Sequence, residues 1–484
     1  MGSSVLSDAE CTTGKLVVND IHSQLNATKV AAIVQPRDIG ELGAAVDAAR
    51  ANGRSISIAG GRHAMGGQQF GESTLLVDTR ALDRVVAFDD ERGLITVEGG
   101  ILWPALMEYL ERVQQGRERQ WGIIQKQTGA DRLSLAGALS CNAHGRGLAL
   151  KPIVDQVEAF DLMDHTGTIR TCSRTHHPEL FRLAIGGYGL FGLITRVQLR
   201  LWPRIKVQRV VTLGETADIM ERFESRIRDG YLYGDFQFAT DSTRDSFLRR
   251  GVFSCYRPVP AETPLTVNPT RFHPDDWARL TYYSHANKRL AFDVYSSRYL
   301  ETSGQIYWAD SQLSAAYVDH YHEELDRKMG ARVKGSEMIT EIYVERVRLA
   351  RFMEDAAYAL RQLGANVIYG TVRLIEKDDE TFLAWARDRF ACVIFNLHVD
   401  HTPDTIARAT DAFCALIDLG LDHGGSYYLT YHRWARKDQV ERCYPQLPTF
   451  LTLKRHYDPA ERFQSEWYRH YREMFAADGP WLDR

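Results

Sequence analysis

A glycine-rich segment with a histidine inside it, GGRHAMGG at residues 60–67, does most to narrow what this chain can fold into. Glycine leaves backbone N–H groups unhindered, and successive exposed amides form a concavity that suits a pyrophosphate. A tight turn between strands would also use the glycines, but it has no call for His63. The segment follows a strand–helix–strand pattern. Residues 31–34 form a short apolar run ended by Pro36, and Asp38 stands three residues before Glu41 as in a capping box, so a helix begins there. Ile39, Leu42, Val46 and Ala49 recur at helical spacing, and Gly53 is placed to end the helix. Residues 55–59 then alternate polar and apolar as a strand.

Beyond the glycines, 75–78, 84–88 and the run LITVEGG read as strands, and 103–113 reads as a helix with Pro104 in its first turn. Two alternating runs joined at His165-Thr166-Gly167 predict a hairpin. Residues 177–185 are helical, and 194–203 alternate up to Pro203, where a first domain closes. From about 206 to 420, helices such as 314–329 and 348–364 alternate with strands such as 366–375 and 392–399. The expected fold class is α+β. A chain of 484 residues exceeds one ordinary core, so the expected layout is a first domain over 1–205, a second over 206–420 and a return segment over 421–484.

Composition excludes several functions. With 59 basic against 63 acidic residues and no Lys/Arg block, no nucleic-acid surface is expected. The longest apolar stretches, such as 412–421, fall well short of the roughly 20 residues that span a bilayer. The first residues lack the basic start and apolar core of a secretory leader, which predicts a cytoplasmic protein. Seven cysteines without a CxxC pair predict reduced thiols. His320 and His322 are two apart on a helix, and His398 and His401 lack a third ligand at useful spacing, so no metal site is expected. No GxSxG elbow supports a serine hydrolase.

Three stretches, GGRHAMGGQ (60–68), QTGADRLSLAGALSCNAHGRG (127–147) and GGYGLFGLITRVQLRL (186–201), together resemble the vanillyl-alcohol oxidase/p-cresol methylhydroxylase (PCMH) family of flavoproteins. The motifs are most similar to those of sugar, aldonolactone and alditol oxidases and of cytokinin dehydrogenases. HYDPAERF (456–463) is similar to the family's closing element, which returns the chain to the cofactor domain. The resemblance implies a two-part PCMH-type FAD-binding domain with an α+β cap domain for substrate. It implies FAD as cofactor, covalently linked through His63. FAD contacts are implied for Gly60, Gly61, Arg62, His63, Ala64, Gly66, Gly67 and Gln68, for Thr128, Gly129, Ser134, Gly137, Asn142 and His144, and for Ile194. Doubly linked relatives carry a cysteine near Ala130-Asp131; this chain has none, implying a single link. Gly187-x-Gly189-x-x-Gly192 has the form of a dinucleotide fingerprint, but a helix precedes it and a strand follows, the reverse of a Rossmann turn, so NAD is not expected there.

Residues 367–379 resemble a strand that bears a Glu-x-Arg pair in alditol oxidases, with Arg373 at the arginine and Thr371 where the glutamate would stand. Residues 424–434 resemble a segment carrying a flavin-proximal lysine, whose position here is Tyr431. His432, with an ordinary pKa near neutrality, is the candidate general base. If this segment is a strand, Tyr431 and His432 point to opposite faces and only one serves the site. The implied reaction removes a hydride from a hydroxyl-bearing carbon of a sugar, polyol or lactone, with molecular oxygen or another acceptor completing the cycle. Oxidation of an amine or a phenolic alcohol is the alternative, and a flavoprotein that has lost catalysis is a third reading.

Overall fold

The computed structural model describes residues 16–314 and 321–476. The chain is α+β. A three-stranded parallel sheet places Leu75–Asp78 between Ala32–Val34 and Ile56–Ala59, with the helix Ile39–Ala51 as crossover. That helix starts where the sequence predicts: the Asp38 carboxylate accepts the Glu41 N–H at 2.8 Å. Glu41 reaches back one residue further than a capping box requires, accepting the Arg37 N–H at 2.8 Å. Gly53 follows the helix at φ 61°, the left-handed turn for which glycine carries no steric cost.

A five-stranded antiparallel sheet comes next, in the order Ile169–Ser173, Val157–Met163, Leu193–Arg200, Leu94–Glu98 and Val85–Asp89. The expected hairpin is its Val157–Met163/Ile169–Ser173 pair. The remainder builds an eight-stranded antiparallel sheet. Its order is Ile306–Trp308, Lys206–Glu215, Arg250–Val259, Tyr233–Phe238, Val367–Ile375, Phe390–Asp400, Gly335–Glu345 and Ser426–Tyr427. One apolar core runs from Ile95 and Val97 in the five-stranded sheet, through Val372 and Val393 in the eight-stranded sheet, to Phe450 and Trp467 near the end of the chain.

The closing segment docks on the first sheet. The Ile56 N–H donates to the Arg462 carbonyl at 2.6 Å, the Gln464 N–H donates to the Ile56 carbonyl at 2.8 Å, and Phe463 is buried with Leu42, Val46 and Val77. Asp458 explains the DP element: its buried carboxylate accepts the N–H groups of Arg462 and Phe463 and pairs with Lys454.

Two sequence expectations need adjustment. Only Ser426–Tyr427 of the 424–434 segment is a strand; the chain then turns. The helix expected over 314–329 is described as Tyr321–Met329, and residues 315–320, His320 among them, lie outside the described residues, as do Cys11 and the other residues before 16. Among the described residues no helix is long and apolar enough to cross a membrane.

Candidate active site

The strand Ile56–Ala59 runs directly into the glycine loop, where two backbones come too close for side chains. A Cβ on Gly60 would lie 2.0 Å from Ser134 Oγ, and one on Gly61 would lie 2.2 Å from the Arg132 carbonyl oxygen. Arg62 takes φ 60° and holds its guanidinium 3.3 Å from the buried Asp78 carboxylate. His63 Nδ1 is 2.9 Å from His22 Nε2. Burial, with His22 alongside, pushes the His63 pKa down to about 3, so the imidazole is neutral at ordinary pH.

The loop forms one wall of a cavity of about 1130 Å³, roomier than the ~300–1,000 Å³ of a typical single-ligand pocket. Gly60, Gly61, Arg62, His63, Ala64, Gln68, Thr128, Gly129, Ser134, Gly137, His144 and Ile194 line it, as do Arg373 and Tyr431. As expected, the Gly187–Gly192 turn lies between the helix Pro178–Ala184 and the strand Leu193–Arg200. The Thr128 hydroxyl and the Gln127 side-chain amide are shielded from solvent without a protein hydrogen-bond partner. Unsatisfied donors beside a side-chain-free backbone fit a large polar ligand such as FAD.

Four proposed site residues do not reach this cavity. Gly66 sits behind it, where a Cβ would fall 2.3 Å from the Tyr431 carbonyl oxygen, and Gly67 lies against Glu466. Asn142 spends its side chain on the fold, donating to Asp378 at 2.8 Å and accepting the Val154 N–H at 3.2 Å. His432 turns away and stacks on Trp434, ring centroids 4.1 Å apart. Burial pushes its pKa down to about 4. The divergence of Tyr431 and His432 comes from the turn after Tyr427, where the Tyr431 N–H donates to the Tyr428 carbonyl, and not from strand alternation.

The sheet wall holds a residue that sequence reasoning missed. Register places Gln237 beside Thr371, Thr371 beside Ile394, and Ile394 beside Glu341, one row across four strands. The carboxylate absent at 371 therefore stands two strands away in the same row. Glu341 Oε1 lies 2.6 Å from His144 Nε2, and Glu341 Oε2 accepts the Tyr431 O–H at 3.3 Å. Burial and Glu341 push the Tyr431 pKa well up, so the phenol keeps its proton. Arg373 stands two residues from Thr371 on the same face, its Nε buried without a partner. Nearby Lys126 is fully buried against Asp131, and burial pulls its pKa down. The signal for Glu341 was a pair of carboxylates, Glu337 and Glu341, inside an apolar alternating run.

A glycine cradle closing on a cavity of this size fits a nucleotide-bearing cofactor. Residues 30–173 match the family model described as an FAD binding domain, and this part of the chain is an FAD-binding domain of the PCMH type. The chain is similar to L-gulonolactone oxidase of Mus musculus, 23% identical over 40% of this chain and 42% of the relative. It is also similar to D-arabinono-1,4-lactone oxidase of Yarrowia lipolytica, 31% identical over 37% and 34% respectively. Cytokinin dehydrogenase 5 of Oryza sativa subsp. japonica is 29% identical over 37% and 35%. The matched stretch spans less than half the length of each relative.

Proposed function

We propose that this chain is an FAD-dependent oxidoreductase acting on a hydroxyl-bearing carbon of a sugar-, polyol- or lactone-like molecule, with oxygen or another electron acceptor completing the cycle. The observation that carries the reading is the Tyr431–Glu341–His144 constellation lining the same cavity as the glycine loop. FAD, when bound, supplies the hydride acceptor. His144 Nδ1 faces the Gly145 carbonyl, which only accepts, so the proton between Nε2 and Glu341 belongs to the pair. That pair is placed to take a hydroxyl proton from substrate, while Tyr431 orients the carboxylate. Arg373 offers a donor and the Gln237 side-chain carbonyl an acceptor that fix further hydroxyls. His432 is reassigned to the fold.

His63 is the proposed attachment point for the cofactor, because desolvation keeps its ring in the neutral form that has a nucleophilic lone pair. The described cysteines are free thiols, which supports a reducing compartment such as the cytoplasm. A second reading, oxidation of a phenolic or other ring-bearing donor, draws on the aromatic lining residues Tyr256, Phe272, Trp277, Tyr282, Tyr295 and Tyr299.

Anaerobic addition of polyols, aldonolactones, amines and phenolic alcohols, with flavin absorbance as readout, tests both readings. Bleaching by polyols or lactones supports the first and bleaching only by aromatic donors the second; bleaching by dithionite alone marks a protein without catalysis. Protein denatured in acid should keep its flavin, and His63→Ala should release it. Free FAD from the unaltered protein would remove the covalent link.

A further inference from the structure

Away from the Glu341 row, the same strand carries a second buried carboxylate. Glu337 and Glu341 are four residues apart on Gly335–Glu345, so they face the same side about 13 Å from one another. His398 is Glu337's direct cross-strand partner, and its Nδ1 lies 3.4 Å from Glu337 Oε1. His285, near the end of the helix Pro274–Ala286, brings Nε2 to 3.1 Å from the same oxygen, and His322, on Tyr321–Met329, brings Nδ1 to 3.9 Å. Sequence spacing could not assemble this group, since His285, His322, Glu337 and His398 follow one another at intervals of 37, 15 and 61 residues and only tertiary packing brings them together.

We propose that His285, His398 and Glu337, completed by His322, form a binding site for one divalent cation of the zinc class.

Three observations carry this. Ligands about 2.0–2.1 Å from a tetrahedral ion sit roughly 3.3 Å from one another, and the two shortest separations here bracket that value. The imidazoles are oriented as ligands. His285 Nδ1 donates to the Thr281 carbonyl at 2.8 Å and His398 Nε2 faces Asp400 at 3.4 Å, so in each neutral ring the lone pair is the atom turned to Glu337, the arrangement by which outer partners fix metal-bound histidines. Finally, His322 is 2% exposed with neither ring nitrogen hydrogen-bonded, and Glu337 Oε2 is buried without a partner. Such groups are costly when unsatisfied, and a cation would satisfy them together.

Three imidazoles and one carboxylate suit a borderline ion and not magnesium or calcium, which take oxygen ligands. The ion would pin two helices that wall the cavity to the sheet beneath. The cluster stands four residues along the strand from Glu341, and its metal content can be tested independently of the redox reading.

The test uses full-length protein stripped by chelator and then titrated with zinc chloride alone, with bound metal counted and flavin content measured in parallel. Cobalt(II) added in place of zinc reports tetrahedral nitrogen–oxygen ligation by its visible absorption. About one equivalent of zinc per chain is expected, with affinity reduced at least ~100-fold in His398→Ala and in Glu337→Gln. Circular dichroism and retained flavin identify which variants are folded. Wild-type protein that binds well under one equivalent overturns the proposal whatever the variants do, as does unchanged affinity in a folded His398→Ala.

Discussion

The two walls of the cavity work by different physics. The glycine-loop wall is mostly backbone, held so close to residues 132–134 that Gly60 and Gly61 have no room for a Cβ. The sheet wall presents side chains in rows, with Glu341, Tyr431 and Arg373 converging from separate segments. Backbone walls bind a ligand's shape and charge, whereas ionisable side chains move protons. Damage to the first should therefore appear as lost cofactor, and damage to the second as lost turnover with cofactor retained.

The largest expected effect tests the sheet wall. Glu341→Gln should slow anaerobic flavin reduction by ~100-fold or more, the usual scale for losing a general base, at unchanged flavin content. A near-normal rate in this variant would move the base elsewhere. Gly61→Ala should do the opposite: the added methyl meets the Arg132 carbonyl, costing on the order of 1–3 kcal/mol and lowering flavin content in the purified protein. Should Gly61→Ala instead keep full flavin and lose only rate, the division between the walls fails.

Smaller effects sharpen the contrast. Tyr431→Phe removes one hydrogen bond to a carboxylate, so reduction should slow by about tenfold. His432→Gln should leave reduction within about threefold of normal, because the ring faces Trp434 and not the cavity. Its effect should appear in stability against pH. His432 titrates at about 4 when folded against 6.5 for the free side chain, so the unfolded chain binds the proton first. Stability then falls as pH drops from about 6.5 to about 4, by up to ~3 kcal/mol, and the Gln variant should lose less over that window in urea melts.

The glycine wall was readable because its reasons are local: a strand ending, amides that need glycine, and a histidine within a few residues. Asn142 shows where local reading overreached, for its place in the motif serves the turn, at φ 51°, and its side chain ties down Asp378. The sheet wall resisted reading because a row is defined by register. Nothing in the run around Thr371 states that Glu341 will stand level with it two strands away. His432 illustrates the converse: its ordinary pKa as a free residue suits a base, but a turn decides which way the ring faces, and it stacks on Trp434.

The docking of Phe463 beside Ile56 also sets a timetable. The edge of the first sheet is completed by residues made some four hundred positions later. At the ~5–20 residues per second of synthesis, that interval is roughly 20–80 s. Throughout it a nascent chain carries an open strand edge, the kind of surface that recruits other strands, and Leu42, Val46 and Val77 await their last apolar neighbour. The sheet that leads into the glycine loop is thus begun long before the residues that close its edge have been made.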